Sequence, residues 1–193
     1  NAFCAVRPPG HHAERASAMG FCFFANVSVA ARHAIAAHGL ERVAIIDFDV
    51  HHGNGTEDCV SGDDRILMCS IFQHPFYPYS GTDKPAANMC NVPLAAGAGG
   101  EEFRDAVSQV WIPRLNEFKP QLIVISAGFD GHYEDDMGGL KLLERDYAWC
   151  TVELMKVAAK HANKRIVSML EGGYVMTSLA RSVGAHLRAL AEL

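Results

Sequence analysis

Short, continuously apolar runs set the limits on what this chain can fold into. They cover residues 2–6, 43–50, 66–71, 122–127 and 165–170. Most are rich in Val and Ile and do not alternate with polar residues, which is the pattern of strands buried on both faces. Helical periodicity fills 16–38, 101–118, 144–161 and 176–193. Gly39 suits the end of the first helix, and Pro113 predicts a kink in the second. Strand–helix alternation of this kind predicts an α/β domain with a mostly parallel sheet. Segments 72–91 and 128–139, punctuated by Pro, Gly and acidic residues, are expected to be irregular.

Composition narrows the options further. A length of 193 residues is one domain's worth, and 49% hydrophobic residues are enough for a sizeable core. A net charge of −5 without a basic patch argues against direct nucleic-acid binding. Six scattered cysteines without a CxxC pair predict free thiols in a reducing compartment. The sequence carries neither a signal peptide nor an apolar run long enough to span a bilayer, so a soluble, cytoplasmic protein is expected. The chain reads as strand from its first residues. It is therefore expected to be the C-terminal portion of a longer fold whose N-terminal part is missing.

The chemistry clusters where the apolar runs end. Arg7-Pro8-Pro9-Gly10-His11-His12 follows the first. Asp47-Phe48-Asp49-Val50-His51-His52-Gly53-Asn54-Gly55 spans the end of the second. Gly128-Phe129-Asp130-Gly131-His132 and Glu171-Gly172-Gly173-Tyr174 follow the last two. In open α/β sheets ligands bind at the carboxyl ends of strands, so these motifs should converge. In an extended segment Asp49 and His51 point to one side and can share a cation. Asp130, which follows another strand of the same sheet, is the best third ligand, leaving a position open for water. One Asp alone is more often a helix cap or a solvated loop residue; the whole string, bounded by an apolar strand and Gly-Asn-Gly, favours metal. His11 and His12 suit a proton carrier beside such a water, with Asp47 and Asn54 placed to orient them. Tyr174, on a tight Gly-Gly turn, can donate to a developing oxyanion.

These motifs, with Gly20-Phe21-Cys22 and the segment 126–130, closely resemble the zinc-dependent histone deacetylase family. The likeness is greatest to its class II and bacterial deacetylase-like amidohydrolase members, relatives of the acetylpolyamine amidohydrolases. The resemblance covers essentially the whole chain. It implies a three-layer, arginase/deacetylase-like fold over residues 1–193 and one Zn2+ held by Asp49, His51 and Asp130. It further implies that His12 is the main proton shuttle, that His11 is its partner, and that Asp47 lies behind His11. Asn54 stands where some relatives carry a second Asp. Tyr174 would donate to the acetyl oxygen, and Gly20, Phe21 and Tyr77 would line the acyl-lysine channel. A structural K+ would sit at Asp47, Asp49, His51, Ser70 and Ile71, and a second near Val60, Asp63, Ile66 and Asn88.

The expected substrate is an acetylated lysine side chain, an acetylpolyamine or a similar small amide, and the chain could form a homo-oligomer. The acidic region Gly131-His132-Tyr133-Glu134-Asp135-Asp136 is expected to form part of the substrate rim, where it would attract a cation. Two other readings compete. A binuclear manganese ureohydrolase would need extra carboxylates for a second metal, and Gly131-His132 stand after Asp130 instead. A non-catalytic acyl-lysine binding fragment would be expected to lack the His pair or Tyr174, and all three are present.

Overall fold

The structure, a computed structural model, describes residues 1–193. Strands β1 (Ala2–Cys4), β2 (Val43–Asp47), β3 (Ile66–Gln73), β4 (Met89–Leu94), β5 (Leu122–Ala127) and β6 (Ile166–Leu170) form one sheet in the order β1-β6-β5-β2-β3-β4. Every pairing is parallel. The helices are α1 (Asn26–His38), α2 (Asn54–Val60), α3 (Gly100–Ala106), α4 (Ile112–Phe118), α5 (Glu144–His161) and α6 (Met176–Leu190).

The lack of alternation in the strands now has its cause. In β2, Val43 and Ile45 enter a core shared with α1 and α2, whereas Ala44 and Ile46 enter a larger core against α3 to α6. Leu67 and Cys69 of β3 face the larger core, while Ile66 and Met68 face the smaller. Helices thus cover both faces of the sheet, giving the three layers expected.

Several expectations are corrected. The first helix starts at Asn26, because Gly20 (φ 54°) and Phe21 (φ 65°) take left-handed backbone that breaks a helix. Pro113 produces no break: α3 runs through a π-helical turn at Val107–Trp111 into α4, where the proline occupies the first turn and needs no N–H partner. Strand β4, unforeseen in the 72–91 segment and beyond it, contains Pro93; it is an edge strand, where proline is tolerated. Helix α2 was also hidden, since Asn54 and Gly55 are weak helix formers. At Gly55 a Cβ would lie 2.3 Å from the Ala13 carbonyl oxygen, so close packing against the His-pair loop excludes any side chain.

The topology decides where a site can be. From β2 the chain moves outward through β3 to β4, then returns to place β5 on the other side of β2. The carboxyl ends of β2 and β5 therefore flank the point where the winding reverses, the favoured crevice of such sheets. Asp47 closes β2, and Asp130 follows β5 closely.

Candidate active site

Asp49, His51 and Asp130 meet at this crevice, buried, with one ligand atom from each inside a 4.8 Å sphere of mutual distances. His51 Nδ1 lies 3.0 Å from Asp49 Oδ1 and 3.3 Å from Asp130 Oδ2. The remaining carboxylate oxygens are tied to backbone: the Gly172 N–H donates to Asp49 Oδ2 (2.9 Å) and the Val50 N–H to Asp130 Oδ1 (3.0 Å). Asp130 Oδ2 makes no hydrogen bond although it is fully buried. An orphaned carboxylate oxygen in the interior is costly unless a cation meets it. Glycines complete the cradle. A Cβ on Gly128 would sit 2.1 Å from Asp49 Oδ2, and one on Gly172 would sit 2.0 Å from Asp130 Oδ2. The two carboxylates overcome the burial that opposes protonation and push the His51 imidazole up to about 10. A metal cation there would meet the same field. The residues present therefore fit a divalent metal bound by one nitrogen and two carboxylates.

The tandem histidines lie beside this group with rings 4.0 Å apart, and the His12 ring is 5.7 Å from that of His51. Their outer nitrogens have different partners. His11 Nδ1 is 3.1 Å from Asp47 Oδ2, and His12 Nδ1 donates to Asn54 Oδ1 at 2.7 Å. Asn54 is oriented by its own amide, which donates to Glu14 Oε1 at 2.8 Å. Burial works against a charge on His11, but Asp49 and Asp47 outweigh it and favour the imidazolium. For His12, burial and the neighbouring His11 charge bring the imidazole down to about 3. These surroundings favour a charge on His11 over one on His12, and with Nδ1–H held by Asn54 the free lone pair of His12 is on Nε2.

A cavity of about 500 Å3 opens over these groups, lined among others by His12, His51 and Tyr174. Gly20, Phe21 and Tyr77 line it too, as do Phe76 and Met137, which sequence reasoning had not placed in a channel, and Asp136, which was expected at the rim. Phe76 stacks on the His51 ring at 5.3 Å, and Tyr77 meets the His12 ring edge-on at 5.2 Å. A side chain at Gly20 would collide with the His12 ring, 2.2 Å away. Burial, with Asp49 and Asp130 nearby, raises the Tyr174 phenol well above its ordinary value, so it stays a proton donor.

Two buried carboxylates hold loops of the site, a role the sequence reading gave to neither. Glu171 Oε2 accepts from the backbone N–H of Gly10 (2.6 Å) and His11 (3.1 Å), and its Oε1 accepts from Ser126 (3.0 Å). Asp135 was expected at the rim with Glu134 and Asp136. Instead it is buried, and its Oδ2 accepts from the N–H groups of Tyr174 (2.7 Å) and Val175 (3.2 Å). Glu171 thus holds the loop bearing the His pair, and Asp135 the turn bearing Tyr174. For Glu171 the adjacent Glu171-Gly172-Gly173-Tyr174 string was the signal in the sequence.

The positions expected for potassium differ from one another. Ser70, paired in register with Asp47, is fully buried and its hydroxyl has no partner. Around Val60, Asp63 and Ile66, by contrast, the Asn88 amide nitrogen fills the space between the three carbonyls.

The family model described as a histone deacetylase domain matches residues 1–190. This chain belongs to the histone deacetylase family. It is 44% identical over 213 residues to the type-2 histone deacetylase 2 of Dictyostelium discoideum, covering 99% of this chain and 12% of that protein. It is 41% identical over 181 residues to a histone deacetylase-like amidohydrolase of Pseudomonas aeruginosa, covering 90% of this chain and 48% of the relative. A probable deacetylase of Archaeoglobus fulgidus is 41% identical over 180 residues, covering 90% and 50%. The chain thus spans half or less of these relatives' length. The crystal structure of the HDA15 HD domain superposes with a TM-score of 0.92 at 35% identity, covering all of this chain and 56% of that one.

Proposed function

We propose that this chain carries the catalytic core of a zinc-dependent deacetylase, which hydrolyses acetyl-lysine or a related N-acetyl amine to acetate and free amine. One observation carries the reading: the orphaned Asp130 Oδ2 faces His51 Nδ1 and Asp49, and His51 lines the same cavity as His12 and Tyr174. Asp49, His51 and Asp130 would hold the zinc. When bound, zinc supplies the Lewis acidity that activates water and polarises the acetyl carbonyl.

The chain's own residues do the rest. His12, neutral and fixed by Asn54 with its Nε2 lone pair free, takes the proton from the attacking water. Tyr174 donates its phenolic proton as a hydrogen bond to the carbonyl oxygen while charge builds there. His11, charged against Asp47, keeps a proton beside the site, and the His pair returns one proton to the leaving amine. Water and amide are thereby converted to acetate and amine. Phe76, Tyr77, Gly20 and Phe21 form an apolar wall that fits the uncharged stem of an acylated amine. Asp136 at the cavity mouth favours a substrate with a further positive charge.

The buried, unpartnered Ser70 hydroxyl supports a potassium ion at the inner position with Asp47, Asp49, His51 and Ile71. One three-residue group of metal-capable side chains converges in this chain, which favours a mononuclear centre over a binuclear ureohydrolase. Six free cysteines suit a cytoplasmic setting, and no helix is long and apolar enough to cross a membrane. Acetate release by the full-length protein from acetyl-lysine peptides and acetylpolyamines tests the reading. Activity on one of these classes, lost to a chelator and restored by zinc, is expected; no acetate from either contradicts it.

A further inference from the structure

The loop between α2 and β3 turns three backbone carbonyls, those of Val60, Asp63 and Ile66, toward one point. The Asn88 Nδ2 atom occupies that point, at 2.9, 3.2 and 2.9 Å from the three oxygens. A cage of neutral carbonyl oxygens is the environment that replaces the hydration shell of a weakly hydrated monovalent cation. We propose that the Asn88 side-chain amide is this chain's built-in replacement for such a cation, so that the fold holds at most one potassium ion, at the inner position.

The chemistry of the amide supports this. Its nitrogen carries only two hydrogens, yet it faces three acceptors, so it acts as a shared centre of positive charge. Its orientation is fixed by its other end, because Asn88 Oδ1 accepts from the Gly62 N–H at 2.9 Å. Exchanging oxygen and nitrogen would set an oxygen against three carbonyls and an N–H against an N–H.

The surroundings also oppose an ion. The Asp63 carboxylate is taken by Arg65, with Nε and Nη2 each at 2.9 Å, and by Arg32 Nη1 at 3.4 Å. Arg32 additionally donates to the Cys59 carbonyl at 2.6 Å. Two guanidinium groups therefore sit on the loop that would have to welcome a cation. The inner position is the opposite case, since the Ser70 hydroxyl there lacks any partner. A potassium ion and the Asn88 nitrogen cannot share the cage, and the amide holds the loop at any potassium concentration.

Thallium(I), a heavy stand-in for potassium, reads the sites directly in crystals of the full-length protein. No anomalous density is expected between the Val60, Asp63 and Ile66 carbonyls of the parent. Density there, with the Asn88 side chain swung out, overturns the proposal. The second arm is Asn88→Asp, which sets a carboxylate oxygen against the carbonyls and should need a cation to fold tightly. Potassium should raise its melting temperature on the order of 5 °C more than it raises the parent's, at constant ionic strength. A response no larger than the parent's overturns the proposal. Should this variant fail to fold, the thallium result on the parent decides. Neither readout uses catalysis, so failure of the deacetylase reading would leave this test intact.

Discussion

His11 and His12 are neighbours in sequence and their rings pack at a tilt in space, yet the group behind each ring sets them apart in charge. Asp47 is an anion and Asn54 is neutral, so His11 is favoured charged while His12 stays an available base. His12→Ala should lose about a hundred- to ten-thousandfold in turnover while retaining metal. Turnover near the parent's would place the base elsewhere. Asn54→Asp puts a carboxylate at His12 Nδ1, which favours the imidazolium, so the acidic limb of the pH–rate profile should move to higher pH. A limb that stays put or moves down contradicts the assignment. Tyr174→Phe keeps the ring and loses the donor, at a cost of about 2.7–4 kcal/mol of transition-state stabilisation. Turnover should fall far more than substrate affinity, with little change in melting temperature. The reverse pattern would make Tyr174 a packing residue.

Neither the His pair nor Tyr174 sits in a helix or strand; each rides on a loop held by a carboxylate from another part of the chain. Glu171→Ala should leave Gly10 and His11 N–H groups unsatisfied and lower turnover at unchanged metal content. Glu171→Gln keeps one oxygen for those donors and an amide for Ser126, so it should recover most of the loss; equal damage in both variants would refute a positioning role. Such a residue is hard to read in sequence, because its partners lie 161 and 160 positions away and only the fold brings them together. The strands were legible because burial on both faces leaves an unbroken apolar run, as in Leu122–Ala127, and α5 was legible because its apolar stripe repeats over five turns. Elements built against local propensity were not: β4 contains Pro93, and α2 opens with Asn54 and Gly55. The convergence of Asp49 and His51 with Asp130 could be anticipated because the string around Asp49 and His51 is local, extended and bounded by glycine. Phe76 and Met137 gave no such signal, since cavity lining depends on how loops fold over one another.

At the scale of the molecule, the sheet and the helices behind it are locked by a polar group inside the larger core. His186 of α6 donates from Nδ1 to Thr151 of α5 (2.7 Å) and accepts at Nε2 from Ser168 of β6 (2.9 Å), while Thr151 itself donates to the Tyr147 carbonyl. Its ring also meets Phe48 and Phe129, the neighbours of Asp49 and Asp130. Burial lowers the imidazole from 6.5 to about 4. The unfolded chain then binds the extra proton first, so stability from this group is whole above pH 6.5 and drains away as pH falls to 4, by about 3 kcal/mol. Urea unfolding across that window should show a shallower pH dependence in His186→Leu than in the parent; equal slopes would deny the buried neutral histidine. The same architecture sets Asp49 and Asp130 on neighbouring strand ends, and the central claim is that these two carboxylates and His51 hold one catalytic zinc. The full-length protein, stripped of metal and titrated with Zn2+ while acetate release from an acetylated amine is followed, measures this most directly. The account predicts activity that rises linearly and breaks at one zinc per chain; a break at two, or activity unaffected by stripping, would contradict it.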